Sequence, residues 1–129
     1  LTIRVLLVDD EEITHYLVRQ LLPRSQYHVS IARDGREALD HLPEYRPDVI
    51  LLDLAMPGMD GFAFLNCLRQ EFSFAELPVI VLTSAVLDPQ ERSSLSSTSM
   101  ILSKSELASD TLTNAIATVL SAEVGIGAG

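Results

Sequence analysis

The sequence predicts an α/β fold: a single doubly wound domain in which a five-stranded parallel sheet lies between two layers of helices. Three observations predict it. Short runs rich in Leu and β-branched residues alternate five times with segments of helical spacing. Three of those runs are almost continuously apolar, as expected of strands covered on both faces. The length of 129 residues suits one hydrophobic core and leaves no room for a second.

The first run is Ile3 to Val8. After it, Ile13, Leu17 and Leu21 stand four apart with Val18 and Leu22 beside them, the apolar stripe of an amphipathic helix that Pro23 brings to an end. The second run, Tyr27 to Ala32, leads into Asp34-Gly-Arg-Glu37, which reads as a capping box for a helix carrying Ala38, Leu39 and Leu42. Pro47 precedes the third run, Asp48 to Leu52, and Phe62, Leu65 and Leu68 mark the helix that follows. The fourth run is Pro78 to Leu82. Asp88-Pro-Gln-Glu91 then opens a fourth helix with Pro at its first position, running from about Pro89 to Ser97. Ser93, Ser94, Ser96 and Ser97 surround a single Leu95 there. Serine competes for backbone hydrogen bonds, so this helix is expected to be short or mobile. Met100 to Leu102 is the last strand, and Leu112, Ile116, Val119 and Leu120 the last helix. Gly125 to Gly129 carry no pattern, so the folded domain is expected over 1–121 and a flexible tail over 122–129.

Composition excludes several classes of function. Eighteen Asp and Glu against nine Lys and Arg give a net charge of −9, which argues against direct nucleic-acid binding or an anionic membrane surface. No apolar stretch approaches the ~18 to 20 residues that cross a bilayer, so no membrane insertion is expected. The one cysteine, Cys67, makes neither an internal disulfide nor a multi-thiolate zinc site, and a reducing, cytoplasmic setting is the default. Cys67 lies in the third helix and reads as packing. His15, His28 and His41 show no ligand spacing and fall on predicted helices or a strand away from any site.

Strictly alternating strands and helices are joined by right-handed crossovers, and such sheets bind ligands beyond the carboxyl ends of their strands. Asp9 and Asp10 end the first strand, Asp53 the third, Thr83 the fourth and Lys104, the only lysine, the fifth. Taken singly, each has an ordinary explanation. Acids at a helix start complement its dipole, an Asp before a Pro-Gly loop forms a turn, and a lysine snorkels. These explanations do not predict that all five face one edge. Three carboxylates there would repel, and oxygen-only ligands open to water favour Mg²⁺. Lys104 and Thr83 suit an anion beside the metal. Together they describe a phosphoryl site with Asp53 as the nucleophile that forms an acyl phosphate.

These residues carry a resemblance to the receiver domain of two-component response regulators, from about Ile3 to Leu120. Val5-Leu-Leu-Val-Asp-Asp-Glu11 resembles the acidic end of that family's first strand. Asp48-Val-Ile-Leu-Leu-Asp-Leu-Ala-Met-Pro-Gly-Met-Asp-Gly61 resembles its phosphoacceptor strand and loop, and Val79-Ile-Val-Leu-Thr-Ser84 and Ile101-Leu-Ser-Lys104 its fourth and fifth strand ends. The resemblance implies the flavodoxin-like strand order 2-1-3-4-5. It also implies that Asp53 accepts a phosphoryl group from a histidine of a kinase or histidine phosphotransfer protein. Asp10, Asp53 and the backbone carbonyl of Ala55 would ligate Mg²⁺, Asp9 would act mainly through a bound water, Thr83 would hydrogen-bond the phosphoryl group and Lys104 would pair with it. Phosphorylation would draw Thr83 inward and remodel the surface of the fourth helix, fifth strand and fifth helix, where a downstream protein target or a second copy of the chain would bind. This describes a phosphoacceptor domain rather than an enzyme, either a stand-alone regulator or a piece of a hybrid histidine kinase; the start at Leu1 leans toward the latter.

Three features depart from the family pattern. Ser105 replaces the usual Pro after the lysine, and a cis non-proline bond costs about 2.5 to 4 kcal/mol, so this loop is expected to be trans or strained. Ile101 replaces the aromatic switch residue and has no ring to swap between rotamers. Ser97-Thr98 replaces the usual Gly-Ala. Among rival functions, a haloacid-dehalogenase-type phosphotransferase needs a second Asp where Ala55 stands. An FMN-binding flavodoxin-like module would put its phosphate against Asp-Asp-Glu-Glu. The remaining rival is a non-phosphorylated docking module on the same fold, favoured by Ile101 and Ser105 and opposed by the complete set of five site residues.

Overall fold

The computed structural model describes the backbone of residues 2–128, and their side chains except at 72 and 122–128. Strands β1 (Ile3–Val8), β2 (Tyr27–Ala32), β3 (Val49–Asp53), β4 (Val79–Thr83) and β5 (Met100–Ser103) alternate with helices α1 (Glu12–Leu21), α2 (Gly35–Tyr45), α3 (Gly61–Gln70), α4 (Pro89–Ser94) and α5 (Ser109–Ala128). All neighbouring strands pair in parallel, in the order β2-β1-β3-β4-β5. This is the five-stranded, doubly wound arrangement that the alternation of periods predicts.

Strand periodicity builds the core as two layers. Successive side chains of a strand point to opposite faces, so Leu6, Val8, Ile50, Leu52, Val79 and Val81 pack on one side with Ala38, Leu42, Phe64, Leu65 and Leu68 of α2 and α3. Val5, Leu7, Val49, Leu51, Ile80 and Leu82 pack on the other with Val18 of α1 and Leu112, Ala115, Ile116 and Val119 of α5. Every residue of β3 and β4 is buried, which is why those two runs read as continuously apolar. Each buried Val, Leu or Ile contributes roughly 1.5 to 3 kcal/mol, and this sum holds the strand ends in place.

The structure shifts several expected boundaries. β3 begins at Val49 rather than Asp48, because the Asp48 carboxylate accepts the Arg4 N–H at 2.8 Å and Asp48 lies just outside the ladder. At its other end the strand runs one residue beyond the expected Leu52 and includes Asp53 as its last residue. α4 stops at Ser94, short of the expected Ser97. Here hydroxyls take backbone acceptors, Ser94 Oγ donating to Gln90 C=O at 3.1 Å and Thr98 Oγ1 to Leu95 C=O at 2.7 Å, the competition that disfavours Ser and Thr inside helices. The α4 capping box is complete. At α2, Asp34 caps Glu37 N–H at 2.8 Å, but Glu37 returns to Arg33 N–H rather than to the cap residue. α5 is helical as far as Ala128, through most of the segment expected as a tail, since an anchored helix adds one hydrogen bond for each further residue fixed; Gly129 lies outside the described residues. Among the described residues no peptide bond is cis, so the Lys104–Ser105 bond is trans. No described helix is long and apolar enough to cross a membrane.

One contact ties this scaffold to the edge that carries the acids. α3 starts hard against the end of β3, with Gly61 N–H donating to Leu54 C=O at 3.0 Å. A Cβ on Gly61 would lie 2.5 Å from the Asp53 carbonyl oxygen and 2.7 Å from Leu54 Cα. Both neighbours are backbone and cannot swing aside. Gly61→Ala is therefore expected to destabilise the protein by about 1 to 3 kcal/mol through overpacking, read as a lower urea midpoint with an unchanged denaturant slope. A midpoint equal to that of the unsubstituted chain would contradict this account.

Candidate functional site

Parallel register brings the strand ends level. Val8 pairs with Leu52, Asp53 with Leu82, and Thr83 with Ser103, so Asp9, Asp53, Thr83 and Lys104 leave neighbouring strands at the same carboxyl edge. The chain reverses its direction of travel across the sheet between β1 and β3, and Asp9, Asp10 and Asp53 flank that crevice, where such sheets take their ligands. All five side chains singled out in the sequence converge here, together with the Ala55 backbone.

Asp9 is fully buried and Asp53 is 4% exposed, so both need partners within the fold. Asp9 Oδ1 accepts the Glu11 N–H at 2.8 Å, and its Oδ2 lies 2.9 Å from Lys104 Nζ. That second contact is an ion pair without a directed hydrogen bond. Asp53 Oδ1 accepts the Ala55 N–H at 3.4 Å and sits 3.5 Å from the same ammonium. Asp10 differs: its Oδ1 is buried with no hydrogen-bond partner. One carboxylate oxygen from each of Asp9, Asp10 and Asp53 falls within 4.8 Å of the others. At that separation each pair repels by roughly 3 kcal/mol for the effective dielectric of a protein site. Three hard oxygen donors, one of them an orphan, fit a hard divalent cation.

Lys104 supplies the opposing charge. Its Nζ also donates to Glu11 Oε1 at 2.8 Å, and its side chain is only 12% exposed. Burial alone would push this ammonium down, but contact with Glu11 and Asp9 and the charges of Asp9 and Asp53 hold it well above the usual lysine range. The Glu11 carboxyl is held below its usual value by the Lys104 hydrogen bond and charge. Asp53 moves the other way. Burial pushes it up, Asp9 adds to that, and Lys104 and the Ala55 N–H only partly oppose it. Thr83 Oγ1 accepts the Ala85 N–H at 3.1 Å, which leaves its own O–H free to donate. Asp10, Glu11, Asp53, Ala55, Thr83, Ala85 and Lys104 line an open cleft of about 470 Å³. A larger groove of about 700 Å³ between α3 and α4 has no comparable convergence of charge, so size does not mark the site.

Two residues that the sequence did not single out belong to this edge. Glu11 is the closest partner of Lys104 across 93 positions of sequence, which only folding reveals; its one sequence signal is that it extends the Asp9-Asp10 pair. His15, expected away from the edge, is buried instead, and its Nε2 lies 2.6 Å from the Asp9 carbonyl oxygen. The first turn of α1 carries the ring back over the end of β1. His28 and His41 do lie elsewhere, bonded to Tyr45 Oη and Ser30 Oγ respectively.

Comparison with known proteins agrees with this geometry. A family profile for the response regulator receiver domain matches residues 5–117. The response regulator MprA of Mycolicibacterium vanbaalenii is 40% identical over 82 residues, covering 64% of this chain and 35% of that protein. The chain thus spans about a third of the length of this relative. Among solved structures, the chemotaxis protein CheY4 of Vibrio cholerae superposes with a TM-score of 0.83 at 30% identity, covering 92% of this chain and 99% of that one. The Mn²⁺-bound form of the response regulator Rcp1 superposes with a TM-score of 0.72 at 30% identity, covering 87% and 88% of the two chains.

The raised Asp53 carboxyl has a consequence for stability. A native-state value above the unfolded one means that the folded protein binds the proton more tightly, so stability falls as pH rises from the usual Asp range through the native value. Ionised Asp53 is therefore a load on the metal-free fold at neutral pH. Asp53→Asn is expected to raise the melting midpoint in EDTA at pH 7, because it removes the ionised carboxylate from its buried site. The gain should vanish below the usual Asp range, where both proteins are uncharged at this position. A midpoint that does not rise at pH 7 would contradict it.

Proposed function

The chain belongs to the response regulator receiver domain family of two-component signalling, and from that premise we propose that Asp53 is its phosphoacceptor. The observation that carries this reading is a buried carboxylate set between one ammonium and the unpartnered oxygen of Asp10. In the proposed reaction an Asp53 oxygen attacks the phosphorus of a phosphohistidine in line. The P–N bond breaks as the P–O bond forms, and the departing imidazole takes a proton from water. Lys104 exchanges part of its contact with Glu11 and Asp53 for a phosphoryl oxygen. Thr83, whose hydroxyl hydrogen is uncommitted, donates to another.

The divalent ion proposed for this site is Mg²⁺. When bound it would neutralise the carboxylates and offset charge on the transferring phosphoryl oxygens. Asp10, Asp53 and the Ala55 carbonyl would ligate it directly. Both Asp9 oxygens are already engaged, by Glu11 N–H and Lys104, which supports an indirect role for Asp9 through a bound water. The Mn²⁺ in Rcp1 supports a divalent ion in this family. The donor partner is a histidine kinase or histidine phosphotransfer protein in a cytoplasmic setting. Ile13 and Val86, exposed by 75% and 99%, follow the cleft residues Glu11 and Ala85 closely in the chain, and are proposed as apolar contacts for a protein donor. A downstream protein, or a second copy of the chain, is proposed to read the surface of α4, β5 and α5.

Incubation with acetyl phosphate and Mg²⁺ tests this reading. The intact mass is expected to rise by one phosphoryl group, and Asp53→Ala or EDTA is expected to abolish the gain. An unchanged mass, with unchanged amide spectra on adding beryllofluoride and Mg²⁺, would instead favour a non-phosphorylated docking module. The positions two beyond Asp53 and Thr83 are Ala55 and Ala85, and neither offers a polar group to orient a hydrolytic water. The acyl phosphate is accordingly expected to decay slowly for this family, and a half-life of seconds would contradict this.

A further inference from the structure

We propose that His15 is a positioning residue for the metal-binding loop, acting through the peptide between Asp9 and Asp10 to aim the Asp10 carboxylate. The inference rests on the metal site proposed above. His15 is 7% exposed on the buried face of α1, beside Thr14 and Val18. Its Nε2 lies 2.6 Å from the Asp9 carbonyl oxygen. A carbonyl only accepts, so Nε2 carries the hydrogen and donates it.

The effect of that bond follows from what else holds the turn. Asp9 N–H donates to Ala32 C=O at 3.0 Å in the sheet, and Asp9 Oδ1 accepts Glu11 N–H at 2.8 Å. Glu11 C=O accepts the N–H groups of Thr14 and His15 at 3.1 and 3.2 Å. The Asp9–Asp10 peptide has one further fixed point, and His15 provides it. Because a peptide is planar, fixing its oxygen sets the orientation of the Asp10 N–Cα bond and hence the arc open to the Asp10 side chain. Asp10 Oδ1 has no hydrogen-bond partner of its own, so its direction is inherited from the backbone. Groups that orient a metal ligand from behind in this way change metal affinity by 10- to 100-fold when removed.

The test compares His15→Leu, which removes the donor at similar bulk, with His15→Gln, whose amide nitrogen can replace Nε2. By calorimetric titration, His15→Leu is expected to weaken Mg²⁺ binding by about tenfold while His15→Gln stays within about threefold of the unsubstituted chain. Without metal, the Asp10 and Glu11 amide signals are expected to be sharp in the unsubstituted chain and in His15→Gln, and broadened or doubled in His15→Leu. Equal Mg²⁺ affinity in all three proteins, or unchanged amide signals in His15→Leu, would overturn the proposal. If no protein bound Mg²⁺, the metal reading would fail, and the amide comparison would still decide whether His15 orients the turn. Should His15→Leu not fold, nitrogen spectra of the unsubstituted imidazole remain decisive: hydrogen at Nε2 is expected, and the Nδ1–H tautomer would overturn the assignment.

Discussion

Three carboxylates forced onto one edge of a buried sheet, answered by a single ammonium, set the terms for the rest of this molecule. Asp9, Asp10 and Asp53 would separate if the chain could relax, since each pair repels by more than a typical surface ion pair contributes. What prevents relaxation is the apolar sheet behind them. β1, β3 and β4 are locked into register by side chains buried in both layers, so moving one acid away would mean slipping a strand and turning its core residues outward. Lys104, between Asp9, Glu11 and Asp53, partly compensates, and the Asp53 carboxyl stays raised, by its burial first and by the charge of Asp9 second. The site is pre-organised by strain that folding has already overcome.

The other half of the domain is held differently. α4 is six residues long and buries none of them. Leu95 just beyond it is 2% exposed and anchors the segment. Arg69 near the end of α3 donates to the carbonyls of Phe74, Ala75, Leu77 and Ser97, tying the segment before β4 to the segment before β5. Burial around this guanidinium lowers its proton affinity, but with several carbonyl acceptors it is well satisfied. A rigid reaction edge thus adjoins a surface held by Leu87 and Leu95, one at each end of α4, and by one polar clamp, the kind of low-stability region from which moving elements are drawn.

Much of this was legible without coordinates. The periods of 2 and 3.6, the prolines at helix exits and the Asp88 to Glu91 capping box were enough for element order and fold class, because they report local sterics and backbone hydrogen bonding. The candidate site was legible for a related reason. A parallel sheet sends every strand end to one edge, so Asp9, Asp10, Asp53, Thr83 and Lys104 had to meet whatever their separation in sequence. Boundaries were less legible. Asp48 sits outside its strand because its carboxylate captures Arg4 N–H, and α5 overruns the expected tail; both depend on competition between close alternatives.

The sequence by itself determined the layers, the strand ends and the acids they carry, since side-chain period and crossover handedness follow from chain chirality and local patterning. Only the tertiary structure decided how those charges are shared. Lys104 could have faced any of several acids. It lies against Glu11 and Asp9 because β5 brings its end beside the β1–α1 turn. His15 read as an ordinary helix residue and instead fixes the Asp9 carbonyl, because the angle at which α1 leaves β1 points that ring back toward the sheet. Pair distances and the orientation of one peptide plane are set by how helices pack on a twisted sheet, and no local pattern in the chain encodes them.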